Sequence, residues 1–404
     1  MDAVAAYRAL FTEEGRRNPF PLYATLHDHG PVLELGDRSP HLVVHGYDAV
    51  SRVLRDPAFH VPDMDRMSRT RPDWPEHPAL VVFMNSMMFS NGARHVRTRR
   101  LVTQVFTMRR ISSLAESITA VVDQLLDQMA EHGSGGSVVD FMTELAYPLP
   151  SNVIGALLGV PEEDRPWFRP HVIAIGGVLD GGSPQKLVDG DKAATELNNY
   201  FTDLIAQRRA KPQDDLISTL AQAWQEDSEL TEAQLLSTLV LLFNAGFETT
   251  THLLGNGLSV LLANPGSMDL LRDNPGRAAS YVEEFLRMES PAQFTTRWAT
   301  VDAKVDGFSV PAHGDVLVLF GAANHDPNRF PAPGMFDPAR PDNNPLTFST
   351  GPHFCPGAAL ARLEGEIAFS RLVTRFPGLT AAGPSTRLDQ LALRGYTSVP
   401  IRIA

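Results

Sequence analysis

Apolar side chains recur at helical spacing over most of this chain and alternate at strand spacing only in short runs. The longest periodic stretch covers residues 231–263. Thr231 and Gln234 form a capping box at its start, and Pro265 marks its stop. A second helix is expected over residues 277–289. A third follows residue 357, where Ala358, Ala359, Leu360, Leu363, Ile367, Ala368 and Leu372 repeat at helical spacing. Residues 94–210 also read as helical, with breaks expected at residues 133–137, at Gly176 and Gly177, and at residues 181–184. Short strands are expected at residues 32–35 and 42–44, with turn residues Gly36, Asp37 and Pro40 between them, and again at residues 303–305 and 316–319. A short helix falls at residues 48–54. Pro62, Pro72, Pro75 and Pro78 make residues 62–80 a loop, and residues 326–347 read as an irregular meander. The sum is mainly α with minor β-sheet. No repeat and no shift of composition marks a boundary, so residues 1–404 are expected to form a single domain.

Composition narrows the possible functions. Lys and Arg number 35 against 47 Asp and Glu, a net charge of −12. Non-specific nucleic-acid binding needs the opposite balance. Hydrophobic residues make up 43% of the 404, enough for a large core. The start, Met-Asp-Ala-Val with Glu13 and Glu14 close behind, lacks a secretory pattern, and no apolar run reaches the roughly 18 residues of a membrane span. A single cysteine excludes an intrachain disulfide and suits a reducing compartment. The expectation is a soluble, cytoplasmic protein without membrane or nucleic-acid partners.

That cysteine, Cys355, sits in Phe348-Ser349-Thr350-Gly351-Pro352-His353-Phe354-Cys355-Pro356-Gly357, directly before the third helix. Pro356 suits a first helical position, and the helix N-terminus favours thiolate over thiol. A lone cysteine is more often a small buried hydrophobe. As a thiolate it is a nucleophile, with His353 as the local candidate base, or a metal ligand. The loop resembles the cysteine-ligand loop of the cytochrome P450 family, Phe-x-x-Gly-x-x-x-Cys-x-Gly, at all four fixed positions: Phe348, Gly351, Cys355 and Gly357.

Further stretches match that family in order. Ala245-Gly246-Phe247-Glu248-Thr249-Thr250 is similar to its oxygen-binding segment, and a glycine with three threonines in mid-helix is locally unfavourable, as functional sites often are. The resemblance implies a dioxygen notch beside Gly246 and a proton relay through Glu248 and Thr249. Glu284 and Arg287 share one helix face. With Arg340 of Phe336-Asp337-Pro338-Ala339-Arg340 they resemble a buried structural triad. His95 and Arg99, at i,i+4, together with Arg297 and His353, resemble the clamp on the haem propionates, a role that suits arginine's planar fork. Ser349, Thr350 and Pro356 depart from the residues usual in bacterial members. Pro356 removes an N–H that could reach the sulfur, which implies a lower reduction potential.

The resemblance implies a P450 fold with haem b held between the long central helix and the Cys355 loop. Cys355 would bind the iron, with Ala245, Gly246 and Gly357 close to the haem. It implies a monooxygenase that uses O2 to hydroxylate or epoxidise a medium-to-large, largely apolar small molecule, such as a polyketide or terpenoid of bacterial secondary metabolism. The chain has no flavin or iron–sulfur motif, so electrons are expected from NAD(P)H indirectly, through a ferredoxin and a ferredoxin reductase. Arg94, Arg97, Arg99, Arg100, Arg109 and Arg110, with no acid among them, could steer an acidic partner, although Arg97 and Arg100 read first as a solvated basic face. Met84, Met88, Phe89, Asn244, Gln293, Phe294, Tyr396 and Thr397 fall where family members touch substrate; Met87 lies beside them. The alternatives are peroxide-driven or oxidative-coupling chemistry on the same haem, and a non-catalytic haem recruitment domain. Peroxide-using relatives commonly lack the acid–alcohol pair.

Overall fold

The computed structural model describes residues 1–36, 39–180, 183–226 and 230–403. The expected turn residue Asp37 and the break at Gly181 and Gly182 lie outside the described residues. The long helix is Glu232–Ala263. Thr231 accepts from the Gln234 N–H and Gln234 reaches back to the Thr231 N–H, so the capping box is formed. Gly246 with Thr249, Thr250 and Thr251 in its middle cost roughly 2–3 kcal/mol in propensity against alanine. Leu241, Leu242, Phe243, Phe247, Leu253 and Leu254 are all buried around them, and each contributes about 1.5–3 kcal/mol. Packing therefore decides the conformation. The helices Pro148–Leu158, Pro78–Asn85 and Ala358–Arg375 pack directly on this central helix.

A five-stranded sheet lies apart from the helical core. Its order is Val32–Glu34, Leu42–Val44, Asp315–Leu319, Phe294–Ala299, Phe59–His60. Leu42–Val44 runs parallel to Asp315–Leu319, and the other pairings are antiparallel. Arg297 lies opposite Val316 in this sheet. A separate apolar cluster, including Leu42, Val44, Val316 and Val318, covers one face. No regular element occupies residues 324–345, in agreement with the expected meander.

Two expectations fail. Residues 62–80 are not a loop: they hold the helix Met64–Thr70, a 3-10 turn Trp74–Glu76 and the start of the helix Pro78–Asn85. Pro62 precedes the N-cap Asp63, Pro72 follows a helix end, and Pro75 and Pro78 occupy first-turn positions, where no N–H is needed. Gly176 and Gly177 do not break a helix either, because Arg165–Val178 runs through both.

Candidate haem-thiolate site

The Cys355 loop is shaped by its backbone. Gly351 has φ 71°, and a Cβ there would come within 2.7 Å of the Leu54 carbonyl oxygen, so glycine is required twice over. Ser349 also lies at positive φ, 61°, with ψ −167°. The Cys355 N–H donates to the Phe348 carbonyl at 2.9 Å, closing the loop. The following helix starts at Ala358, with Gly357 as its N-cap, so Pro356 precedes the helix rather than opening it. Burial pushes the Cys355 thiol up; the N–H groups of Gly357 and Ala358 and the charges of Arg99 and Arg362 act against it. The helix terminus alone therefore does not hold a thiolate, whereas a coordinated metal ion would.

Basic groups converge beside this loop. His95 is buried, and its ring lies 4.2 Å from that of His353. Arg99 donates to the Phe354 carbonyl at 2.7 Å. Arg297 is 3% exposed and donates to the Thr295 hydroxyl at 3.0 Å and the Thr296 carbonyl at 2.8 Å. Among the described residues no carboxylate pairs with it, and burial alone lowers its pKa to about 10. The His353 ring is held down to about 3, first by burial and then by the charges of His95, Arg297, Arg99 and His60. His353 packs against His95 with the rings tilted by 37° and makes no hydrogen bond to Cys355 among the described residues, so it is not placed as a base for the thiol. A buried guanidinium without a counter-ion is expensive. An anion with two carboxylates would satisfy this cluster, and the sulfur beside it would hold an iron ion. The residues fit haem.

On the long helix, Ala245, Gly246 and Thr249 are partly accessible while Phe247, Glu248 and Thr250 are buried, so one face of this segment borders open space. The Thr249 hydroxyl donates to the Ala245 carbonyl at 2.7 Å. Gly246 does not form a notch with its missing side chain. A Cβ there would meet Ile154 at 2.9 Å, and the glycine instead permits close helix packing. Glu248 is buried against Gly176, where a Cβ would come within 2.3 Å of Oε2. Burial raises its pKa to about 8; the Gln390 side chain acts to lower it, and the charge of Asp180 to raise it. The carboxyl and the Thr249 hydroxyl thus face different partners.

The expected triad is formed. Arg287 donates to both Glu284 oxygens, at 2.7 and 2.8 Å, and Arg340 Nε approaches Glu284 Oε1 at 3.4 Å. The basic stretch is less uniformly solvated than expected: Arg100 is exposed, but Arg97 is half-buried and Arg94 donates to Asn85 at 3.0 Å.

The substrate-contact expectations scatter. Gln293, Phe294 and Tyr396 line one cavity of about 760 Å³, together with Leu391, Leu393 and Gln390. Within it the Gln293 Oε1 accepts from the Tyr23 hydroxyl at 2.7 Å. Thr397 is exposed on the outer side of its strand and donates to the Thr386 carbonyl, so it is no pocket residue. Asn244 donates to the Val172 carbonyl at 3.0 Å and joins two helices. Met84 is buried in the helical core, and Met88 and Phe89 pack on its edge. The sequence reading missed Gln390 and Gly176, which surround Glu248. A lone glutamine in a polar stretch carries no spacing signal, and Gly176 read only as a helix breaker.

Comparison with known proteins agrees with this geometry. The family model described as Cytochrome P450 matches residues 10–172 and 183–389. The 6-deoxyerythronolide B hydroxylase of Saccharopolyspora erythraea is 35% identical over 393 residues, covering 94% of this chain and 95% of that protein. The cytochrome P450 monooxygenase PikC of Streptomyces venezuelae is 37% identical over 394 residues, covering 95% of this chain and 91% of that protein. The crystal structure of P450BioI, in complex with an acyl carrier protein ligated to hexadec-9Z-enoic acid, superimposes with a TM-score of 0.89 at 33% identity, covering 97% of this chain and 100% of that one. No helix among the described residues is long and apolar enough to cross a membrane. With a cysteine-ligand loop, an acid-free basic cradle and this whole-chain similarity, the chain belongs to the cytochrome P450 family and is a haem-dependent monooxygenase.

Proposed function

We propose that this enzyme hydroxylates or epoxidises a medium-to-large, largely apolar small molecule of bacterial secondary metabolism, a polyketide or terpenoid, using O2 and electrons passed from NAD(P)H by a separate ferredoxin and ferredoxin reductase. The observation that carries the haem-thiolate reading is the buried Arg297, without a carboxylate partner among the described residues, grouped with His95, Arg99 and His353 beside the sole cysteine. Haem, when bound, supplies the reductive activation of dioxygen, with Cys355 as the residue that would hold its iron. The chain's own groups then have distinct tasks. Arg297, Arg99, His95 and His353 would hold the haem propionates. The Gly357 and Ala358 N–H groups hold the sulfur. Thr249 orients a proton path with its hydroxyl. Glu248, whose pKa of about 8 leaves it mostly protonated at neutral pH, supplies the proton. An intact acid–alcohol pair favours O2 over peroxide as oxidant.

The cavity lined by Gln293, Phe294 and Tyr396 also carries Glu13, Arg16, Arg17, Arg387, Asp389 and Arg394, so its wall mixes apolar with strongly charged groups. Two relatives of similar length, one named as a 6-deoxyerythronolide B hydroxylase and one as a polyketide biosynthesis P450, support the polyketide class. Exposed Arg100 and Arg109 lie in the acid-free basic stretch near the Cys355 loop and suit an acidic ferredoxin.

The test is spectroscopic. Purified protein reduced under carbon monoxide is expected to show the red-shifted Soret band of thiolate ligation, and Arg297→Leu is expected to lower haem retention. A colourless protein after reconstitution with haemin would sink the reading. A compound library screened for the low-to-high-spin shift then narrows the substrate.

A further inference from the structure

The 760 Å³ cavity carries its charges unevenly. Four arginines line it, Arg16, Arg17, Arg387 and Arg394, against two acids, Glu13 and Asp389. Arg16 pairs with Asp389 and Arg17 with Glu13, and both acids are exposed. The other two arginines share a third acid. Glu289, buried where the helix Ala278–Met288 ends, takes Arg394 Nε on Oε2 at 2.6 Å and Arg387 Nη2 on Oε1 at 3.0 Å. Burial acts to raise the Glu289 pKa, but the charges of Arg394 and Arg387 outweigh it and hold it at about 2, so this acid is ionised at neutral pH. Four cations thus meet three anions, and one positive charge is left over.

The two arginines on Glu289 are not alike. Arg394 is buried, and each of its nitrogens is occupied: Nε by Glu289, Nη1 by the Arg16 carbonyl, Nη2 by the Arg17 carbonyl at 3.3 Å. It is a clasp between the helix Glu13–Arg17 and the segment 386–396. Arg387 is more open, with 23% of its side chain exposed. Its Nη1 makes only long contacts, 3.3 Å to Glu289 and 3.4 Å to the Asn256 side chain, and among the described residues its Nε has no acceptor. Its guanidinium lies over the Tyr396 ring at 4.0 Å, and the two residues are paired across the strands Thr386–Arg387 and Tyr396–Ser398. The surplus charge therefore has a held guanidinium with unoccupied donors on the cavity wall.

We propose that Arg387 forms an anion subsite in this cavity and that the substrate is an amphiphilic organic carboxylate; this rests on the reading of the cavity as the substrate site. The planar fork of arginine matches a carboxylate, and a guanidinium already fixed by a ring and an acid loses little freedom on binding it. A surplus of one charge suits a carboxylate better than a doubly charged phosphate. Phe294, Leu319, Leu391 and Leu393 of the same wall would take the apolar body.

Dodecanoic acid and dodecan-1-ol are the probes, since they share a chain and only the first is charged at neutral pH. Titration calorimetry on the holoenzyme reads binding, and the low-to-high-spin shift reads whether the bound probe reaches the haem. The acid is expected to bind about tenfold or more tighter than the alcohol, and Arg387→Gln to lose that margin while leaving the alcohol unchanged. Asp389→Asn removes an exposed acid without touching Glu289, so the acid is expected to bind about twofold tighter, with a smaller gain at high salt. That variant decides the matter should Arg387→Gln fail to fold. Equal binding of acid and alcohol in the parent, or an acid affinity unmoved in the variants, would overturn the anion subsite alone. Acid binding that depends on Arg387 but gives no spin shift would instead keep the anion subsite and overturn the reading of the cavity as the substrate site.

Discussion

Arg287 Nη2 lies 2.7 Å from Glu284 Oε1, and neither side chain is exposed at all. The pair is embedded in a full set of hydrogen bonds. Arg287 also donates to the carbonyls of Asn324, Pro333 and Met335, and Glu284 accepts from Asn343 at 3.0 Å and from the Asp337 N–H at 3.0 Å. The arginine thereby ties the helix Ala278–Met288 to the irregular residues 324–345, which lack a ladder of their own. Arg287→Met is expected to lower stability by about 3–5 kcal/mol, because it strands a buried carboxylate. Arg287→Lys should fail nearly as badly, since one ammonium cannot reach all these acceptors. Urea unfolding measures both, and a loss below about 1 kcal/mol would contradict the account.

Ser349 holds φ 61° and ψ −167°, a region open essentially to glycine alone, and its buried hydroxyl has no partner among the described residues. Nothing in the loop returns what the side chain costs. Ser349→Gly is expected to stabilise the protein by about 1–3 kcal/mol, seen as a higher melting temperature at unchanged carbon-monoxide spectrum. A lower melting temperature would show that the serine makes a contact that offsets the strain.

Glu364 lies on the helix after Cys355, fully buried, with Oε2 unpartnered among the described residues; burial pushes its carboxyl well above the ordinary value. The sign of its effect on stability follows. Above the unfolded value near 4.5 the unfolded chain ionises this acid while the folded chain keeps it neutral, so its contribution falls as pH rises. Glu364→Gln removes that slope. The variant's advantage in chemical denaturation is expected to be larger at pH 8 than at pH 5; a gap that narrows with rising pH would refute it.

What could be read from the sequence follows from how local each signal is. The capping box of Thr231 and Gln234 spans one turn, and the structure forms it. The Glu284–Arg287 pair was readable as an i,i+3 motif, and Arg340 joined it through a second local motif. The prolines of residues 62–80 were misread because composition does not reveal whether a proline sits inside a helix or on its first turn. Gly176 was misread for a different reason. Its purpose lies in tertiary structure: it clears room for a carboxyl on another helix. Gln390 and Asp180 meet Glu248 only through the folded chain, so no spacing in the sequence could announce them.

Thr249 spends its hydroxyl on the Ala245 carbonyl, one turn back in the same helix. Removing a hydroxyl bonded within its own helix barely disturbs packing, so Thr249→Ala should fold and bind haem as the parent does. Loss of the oriented proton path is expected to divert reducing equivalents to hydrogen peroxide, several-fold more per NADPH in the presence of a compound that gives the spin shift. A peroxide assay beside NADPH consumption reads this directly. Unchanged coupling would remove Thr249 from the relay and leave Glu248 to act through water.

Pro356 bears on the electron density of the sulfur. The N–H groups of Gly357 and Ala358 favour charge on the Cys355 sulfur, and Pro356, between Cys355 and Gly357, has no N–H to add. Hydrogen bonds to a metal-bound thiolate withdraw charge from it and raise the potential of the metal. Pro356→Leu restores a backbone donor at the position nearest the sulfur and, because the helix begins only at Ala358, does so without changing the helix itself. The haem reduction potential of the variant is expected to lie above that of the parent. Redox titration of the two proteins in the same spin state decides it: equal or reversed potentials would mean that the donors at Gly357 and Ala358 already saturate the sulfur.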